Sequence, residues 1–183
     1  MAGSKSFKVS FNLDASDIAY FKSLYNQAKK QASKEDRDGI IRASKKLIKT
    51  VRSSPKTPGF VEEAIQSLED LIGMVEDGDW ALPQSIANQA VAALAYFANP
   101  EDVIPDHIPA LGFMDDAIMI KIVEGEFEHE LWAYRRFRKF RDGAEQRPWT
   151  NVARTRLPKR LADYRRKLRA EASERKTRRK LAW

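Results

Sequence analysis

Four carboxylates fall within fifteen residues, Asp102, Asp106, Asp115 and Asp116, and offer the hard oxygen ligands that Mg²⁺ or Ca²⁺ prefers. A metal-dependent hydrolase working through these aspartates is one reading. The same residues have structural work available: Asp102 and Asp106 can accept from nearby amides in Asx-type turns, and Asp115 and Asp116 fall in the first turn of a helix, where the macrodipole favours negative charge. The spacing matches no EF-hand loop, and neighbouring residues on a helix project about 100° apart. Capping therefore outweighs metal binding, and no cofactor is expected, with a weakly held divalent cation as the alternative.

Glu126 and His129 form a Glu-x-x-His pair of the kind used in carboxylate-bridged di-iron bundles, where two such pairs are needed. This chain has one, and its other histidine, His107, lacks the matching glutamate. No Ser/His/Asp arrangement, Walker loop, dinucleotide fingerprint or HExxH string is present. The absence of cysteine excludes disulfides, thiolate metal sites and cysteine nucleophiles. The chain leans away from catalysis.

Binding chemistry is better represented. Tyr134-Arg135-Arg136-Phe137-Arg138-Lys139-Phe140-Arg141 interleaves aromatic with basic residues, and a second basic run carries Arg165, Arg166 and Arg169. Arginine forks suit carboxylates and phosphates, and aromatic rings can stack on bases. The net charge of +7 conceals a division into three: 13 Lys+Arg against 5 Asp+Glu over residues 1–56, 1 against 16 over 57–130, and 19 against 5 over 131–183. A basic C-terminal third of this kind can fold onto the chain's own acidic centre, dock on an acidic protein, bind nucleic acid or rest on anionic lipid.

The elements that must position these residues are helices. Phe7, Val9, Phe11 and Leu13 alternate with polar residues as one short extended segment, which either lies across helices or pairs with its copy in a homodimer. Asp14 or Ser16 then caps a helix with Ile18, Phe21, Leu24, Tyr25 and Ala28 on one face. Ser33 and Asp36 precede a second, with Ile40, Ile41, Ser44, Leu47, Ile48 and Val51 at helical spacing. Thr57 is read as a cap, with Pro58 opening the third helix. A fourth, alanine-rich helix over 84–98 is apolar around most of its circumference, which places it centrally. The fifth is expected as one long helix from Phe113 to about Arg141. In the sixth, beyond Pro148, Leu157, Leu161, Tyr164 and Leu168 make a coiled-coil-like seam. Residues from Ser173 onward are expected to fray.

Between the fourth and fifth helices lies Asn99–Asp116, rich in proline and aspartate. Pro100, Pro105 and Pro109 force their predecessors towards extended backbone, and Gly112 supplies a conformation that other residues resist. Ala95-Tyr96-Phe97, Pro100, Asp102, Ile104-Pro105-Asp106, Pro109, Gly112 and Asp115-Asp116-Ala117 together resemble the YkvA-like bacterial family, catalogued as a domain of unknown function. The opening from Phe7 to Phe21 is similar to the start of some members, and His107 departs from the bulky apolar residue of that pattern. The resemblance implies a helical fold and no established activity.

The expected molecule is all-α, a bundle of five to six helices. Residues 1–147 form a helical core domain with a short extended N-terminus, and 148–183 a basic helical arm. Met1–Leu13 lacks the apolar core of a signal peptide, and the longest apolar run, 90–98, is far short of the roughly 20 residues that span a bilayer. A cytoplasmic protein without integral membrane association follows. The function expected is that of a non-catalytic interaction or adaptor module whose basic arm binds an acidic protein partner, with nucleic-acid binding as the runner-up.

Overall fold

The computed structural model describes residues 12–32, 36–54, 57–98, 112–146 and 151–181. The Phe7–Phe11 part of the expected extended segment lies outside these residues, as do Pro100, Asp102, Pro105, Asp106, His107 and Pro109. The described residues are all-helical and contain no strand. They form seven α-helices, not five or six: α1 (Ala15–Gln31), α2 (Arg37–Ser53), α3 (Gly59–Glu76), α4 (Gln84–Leu94), α5 (Met114–Glu126), α6 (Glu128–Glu145) and α7 (Asn151–Leu181). A 3₁₀ turn, Ala95–Ala98, tightens the end of α4.

Side-chain caps account for the first two helix starts. Asp14, not Ser16, caps α1 in a capping box: its carboxylate accepts from the amides of Ser16 (2.7 Å) and Asp17 (3.0 Å), and the Asp17 carboxylate accepts from the Asp14 amide (3.0 Å). At α2 the Asp36 carboxylate accepts from the amides of Asp38 and Gly39, without the reciprocal bond. At α3 the cap position is Pro58, one residue later than expected, while the Thr57 hydroxyl donates back to the Val51 carbonyl at 3.0 Å. That bond ties the turn to the end of α2.

The expected long fifth helix is broken at Phe127, whose backbone (φ −107°, ψ 17°) leaves helical values. Gly125, a weak helix former, precedes the break, and Glu126 is held to α1 by the Tyr25 hydroxyl (2.6 Å) and the Lys29 ammonium (2.9 Å). The break gives the two pieces different neighbours, α1 and α3 for α5, and α3 and α7 for α6. Phe127, Leu131, Tyr134 and Phe137 are all buried as a result.

The centre of the bundle is α3, not the alanine-rich α4. It packs on α2, α4, α5 and α6, and Ala64, Leu68 and Met74 are almost wholly enclosed. Small size still matters where backbones approach. A Cβ on Gly73 of α3 would stand 3.0 Å from the Tyr134 hydroxyl, so glycine there admits the phenol to the helix surface.

The C-terminal segment is helical through Leu181, which corrects the expected fraying from Ser173. Its last turns are fastened to the start of α6: Lys176 pairs with Glu130 at 3.0 Å and Arg179 with Glu128. The seam read from the sequence is the inner face of an antiparallel α6–α7 hairpin. Leu161, Leu168 and Ala172 are buried there, and Tyr164 lies 4.4 Å from Phe140 between ring centres.

Candidate anion-binding surface on the α6–α7 hairpin

A helix as basic as α6 must place its arginines either in solvent or on carboxylates, because an uncompensated charge cannot be buried cheaply. On the side facing α3 it meets Asp70, whose side chain is only 4% exposed. Arg135 donates to Asp70 through Nε at 2.6 Å, and Arg138 pairs with its other oxygen at 2.8 Å. Arg135 also reaches Glu124 (3.1 Å) and the Ser67 hydroxyl (3.2 Å), so one guanidinium joins α3, α5 and α6. Burial alone would raise the Glu124 carboxyl, but bonds from Lys121, Ser67 and Arg135 outweigh it and hold the group below its ordinary value.

One turn further, Arg141 pairs with Asp77 at 2.8 Å and Asp79 at 3.3 Å, in the turn that ends α3. Burial would lower Arg141, and Asp77 more than reverses this. The Tyr134 hydroxyl donates to Asp77 as well (3.3 Å), and burial together with the Asp77 charge pushes the phenol up to about 12.

The same turn receives α7. Trp80 is buried, and Ala81 adopts left-handed backbone (φ 45°), a conformation that alanine holds only when its surroundings impose it. The imposing groups are on α7: Arg165 donates to the Asp79 carbonyl at 2.6 Å, and Arg169 donates to the carbonyls of Trp80 and Ala81. The Arg169 guanidinium also lies over the Trp80 ring. With no carboxylate paired to it among the described residues, burial and the Arg165 charge lower its proton affinity.

The eight basic residues singled out in the sequence therefore divide. Arg135, Arg138, Arg141, Arg165 and Arg169 are directed inward onto carboxylates or carbonyls. Arg166 pairs with Asp163 on its own helix. Lys139 lines an open depression of about 680 Å³ with Gln66, Asp70, Arg135, Arg138, Asp142, Gly143 and Gln146. Arg136 lies over the Trp132 ring, 5.1 Å from its centre. The aromatic residues of the same run are not free to stack on bases, because Tyr134 and Phe137 are buried and Phe140 packs on Tyr164.

Residues 89–122 match a family model described as a protein of unknown function, DUF1232. The match spans the end of α4 through most of α5 and includes Asp115 and Asp116, which are buried at the start of α5, just after Phe113 in left-handed backbone (φ 64°). It stops short of α6 and α7, so the basic hairpin lies outside the matched segment. No curated protein and no solved structure matches the chain.

For the metal reading, Asp102 and Asp106 lie outside the described residues, and among the described residues no three His, Asp or Glu side chains are grouped as metal ligands. The break at Phe127 falls within the Glu126/His129 pair and leaves Glu126 engaged by Tyr25 and Lys29. No helix among the described residues is long and apolar enough to cross a membrane.

Sequence reasoning missed Trp80, Trp132 and Arg175. The signal for two of them was present. Trp132 stands four residues before Arg136, on one helical face, and Arg175 stands seven after Leu168, in register with the seam beyond Ala172.

Proposed function

We propose that this protein is a cytoplasmic, non-catalytic interaction module of the YkvA-like type, and that its α6–α7 hairpin binds an acidic partner protein. The observation that supports this reading is the two-sided use of charge on α7. Its inner arginines are satisfied by the chain's own turn, whereas Arg156, Lys159, Arg166 and Lys167 are exposed on the opposite side. At 31 residues α7 extends roughly 46 Å, long enough to present several cations at once.

An acidic protein fits this side better than a nucleic acid. Asp163, Glu171 and Glu174 interrupt the basic stripe, which suits a partner of mixed but mainly negative sign rather than a uniform phosphate chain. Nor do Tyr134 and Phe137, which are buried, or Phe140, which packs on Tyr164, leave a stacking platform.

Deleting α7 would be a poor test, because Leu161, Leu168 and Ala172 belong to the common core. Reversing charge on the outer side leaves that core in place. The triple variant Arg156→Glu/Lys159→Glu/Arg166→Glu is expected to lose most of its affinity for a labelled oligoglutamate peptide, read by fluorescence anisotropy, with an unchanged melting temperature. Equal affinity in variant and wild type would sink the reading.

A further inference from the structure

Most arginines along the α6–α7 hairpin spend their charge on this chain. Arg135 and Arg138 hold Asp70, Arg141 holds Asp77, and Arg179 holds Glu128. Arg136 and Arg175 differ. Both are exposed, and neither has a carboxylate partner among the described residues. Instead their guanidinium carbons lie 5.1 and 4.4 Å from the centre of one half-buried ring, Trp132. The two groups come from different helices, and they can be no farther apart than the sum of those distances.

A guanidinium lying over an indole has one face covered while its in-plane N–H donors stay available, so it loses less freedom on binding an anion than an unsupported side chain would. Its fork matches a carboxylate in two parallel bonds. Two such forks around one ring make a preorganised receptor, and its neighbours explain why internal acids do not fill it. Glu130, the next acid along α6, is paired with Lys176, and Glu128 with Arg179.

We propose that Trp132, Arg136 and Arg175 form the anchoring site for carboxylate side chains of an Asp- or Glu-rich segment in the partner. This rests on the interaction reading above and adds, near the C-terminal end of α7, an anchoring contact to the exposed stripe described there. Arg136 and Arg175 supply the bonds, and Trp132 is a positioning residue that acts through them.

The test uses the full chain and a labelled oligoglutamate peptide at fixed ionic strength, with duplex DNA in a parallel titration. Arg136→Ala and Arg175→Ala are each expected to weaken peptide binding about tenfold, the scale of one charged hydrogen bond. Lys22→Ala on α1, which removes the same charge from a helix packed on α4 and α5, is expected to change little. Arg136→Lys should stay weakened, because an ammonium lacks the fork. Trp132→Leu should also weaken binding although no charge is lost, with Trp132→Phe as the milder variant if the leucine form melts early.

Wild-type protein that fails to bind the peptide, or that prefers DNA to it, would overturn both the interaction reading and this site. Wild-type binding that Arg136→Ala and Arg175→Ala weaken no more than Lys22→Ala does would overturn the site alone. Full recovery in Arg136→Lys would also overturn it, since net charge would then suffice.

Discussion

The Arg169 guanidinium lies 4.9 Å from the centre of the Trp80 ring and donates to the main-chain carbonyls of Trp80 and Ala81. This joins the middle of α7 to the turn between α3 and α4, and it holds Ala81 in a left-handed conformation. Arg169→Ala removes the ring contact and leaves two carbonyls without their donor. A loss of about 2 kcal/mol is expected, with Arg169→Lys intermediate because it keeps charge but not the fork. Urea denaturation followed by tryptophan fluorescence measures both; an alanine variant as stable as wild type would show the latch to be ornamental.

Asp70 is the buried member of a three-way junction, and its two arginine partners are each more than a third exposed. Replacing it with asparagine keeps the shape and removes the charge both partners share. The arginines can turn towards water, which limits the damage to about 2 kcal/mol rather than the full cost of a stranded buried charge. Arg138→Ala should cost much less, since Arg135 still covers the carboxylate. A larger loss from Arg138→Ala than from Asp70→Asn in chemical denaturation would contradict this ordering.

Burial, and next the charge of Asp77, push the Tyr134 phenol up to about 12 in the folded protein from an ordinary value of 10.0. A folded value raised above the unfolded one contributes stability that is whole below pH 10 and is lost as pH rises towards 12. Denaturation midpoints should therefore fall over that alkaline window. Tyr134→Phe should remove that part of the fall, and the tyrosinate absorbance of the folded variant should lose one of its late-titrating groups, the other being Tyr25, which burial and Glu126 also raise. An identical pH profile in the phenylalanine variant would assign the effect elsewhere.

Much of the architecture was legible in local chemistry. Apolar residues at helical spacing identified α1 and α2, and Asp36 is the kind of side chain that can satisfy amides at a helix start. The seam through Leu157, Leu161, Tyr164 and Leu168 was equally plain as a packing stripe. The break at Phe127 was not, because Glu126 beside it is engaged by residues about a hundred positions away, Tyr25 and Lys29. Short-range periodicity carries no record of such a partner.

Charge shows the same division. By itself the sequence determined that an acidic middle lies between basic ends, and hence that part of the charge would be met internally. Only the tertiary structure decided which part: Asp70, Asp77 and the carbonyls of the 79–81 turn take up Arg135, Arg138, Arg141, Arg165 and Arg169, while Arg136 and Arg175 meet on Trp132 and face outward. The physical reason is that a side chain's charge is fixed by its residue type, whereas its partner is fixed by which helices the buried apolar faces bring together.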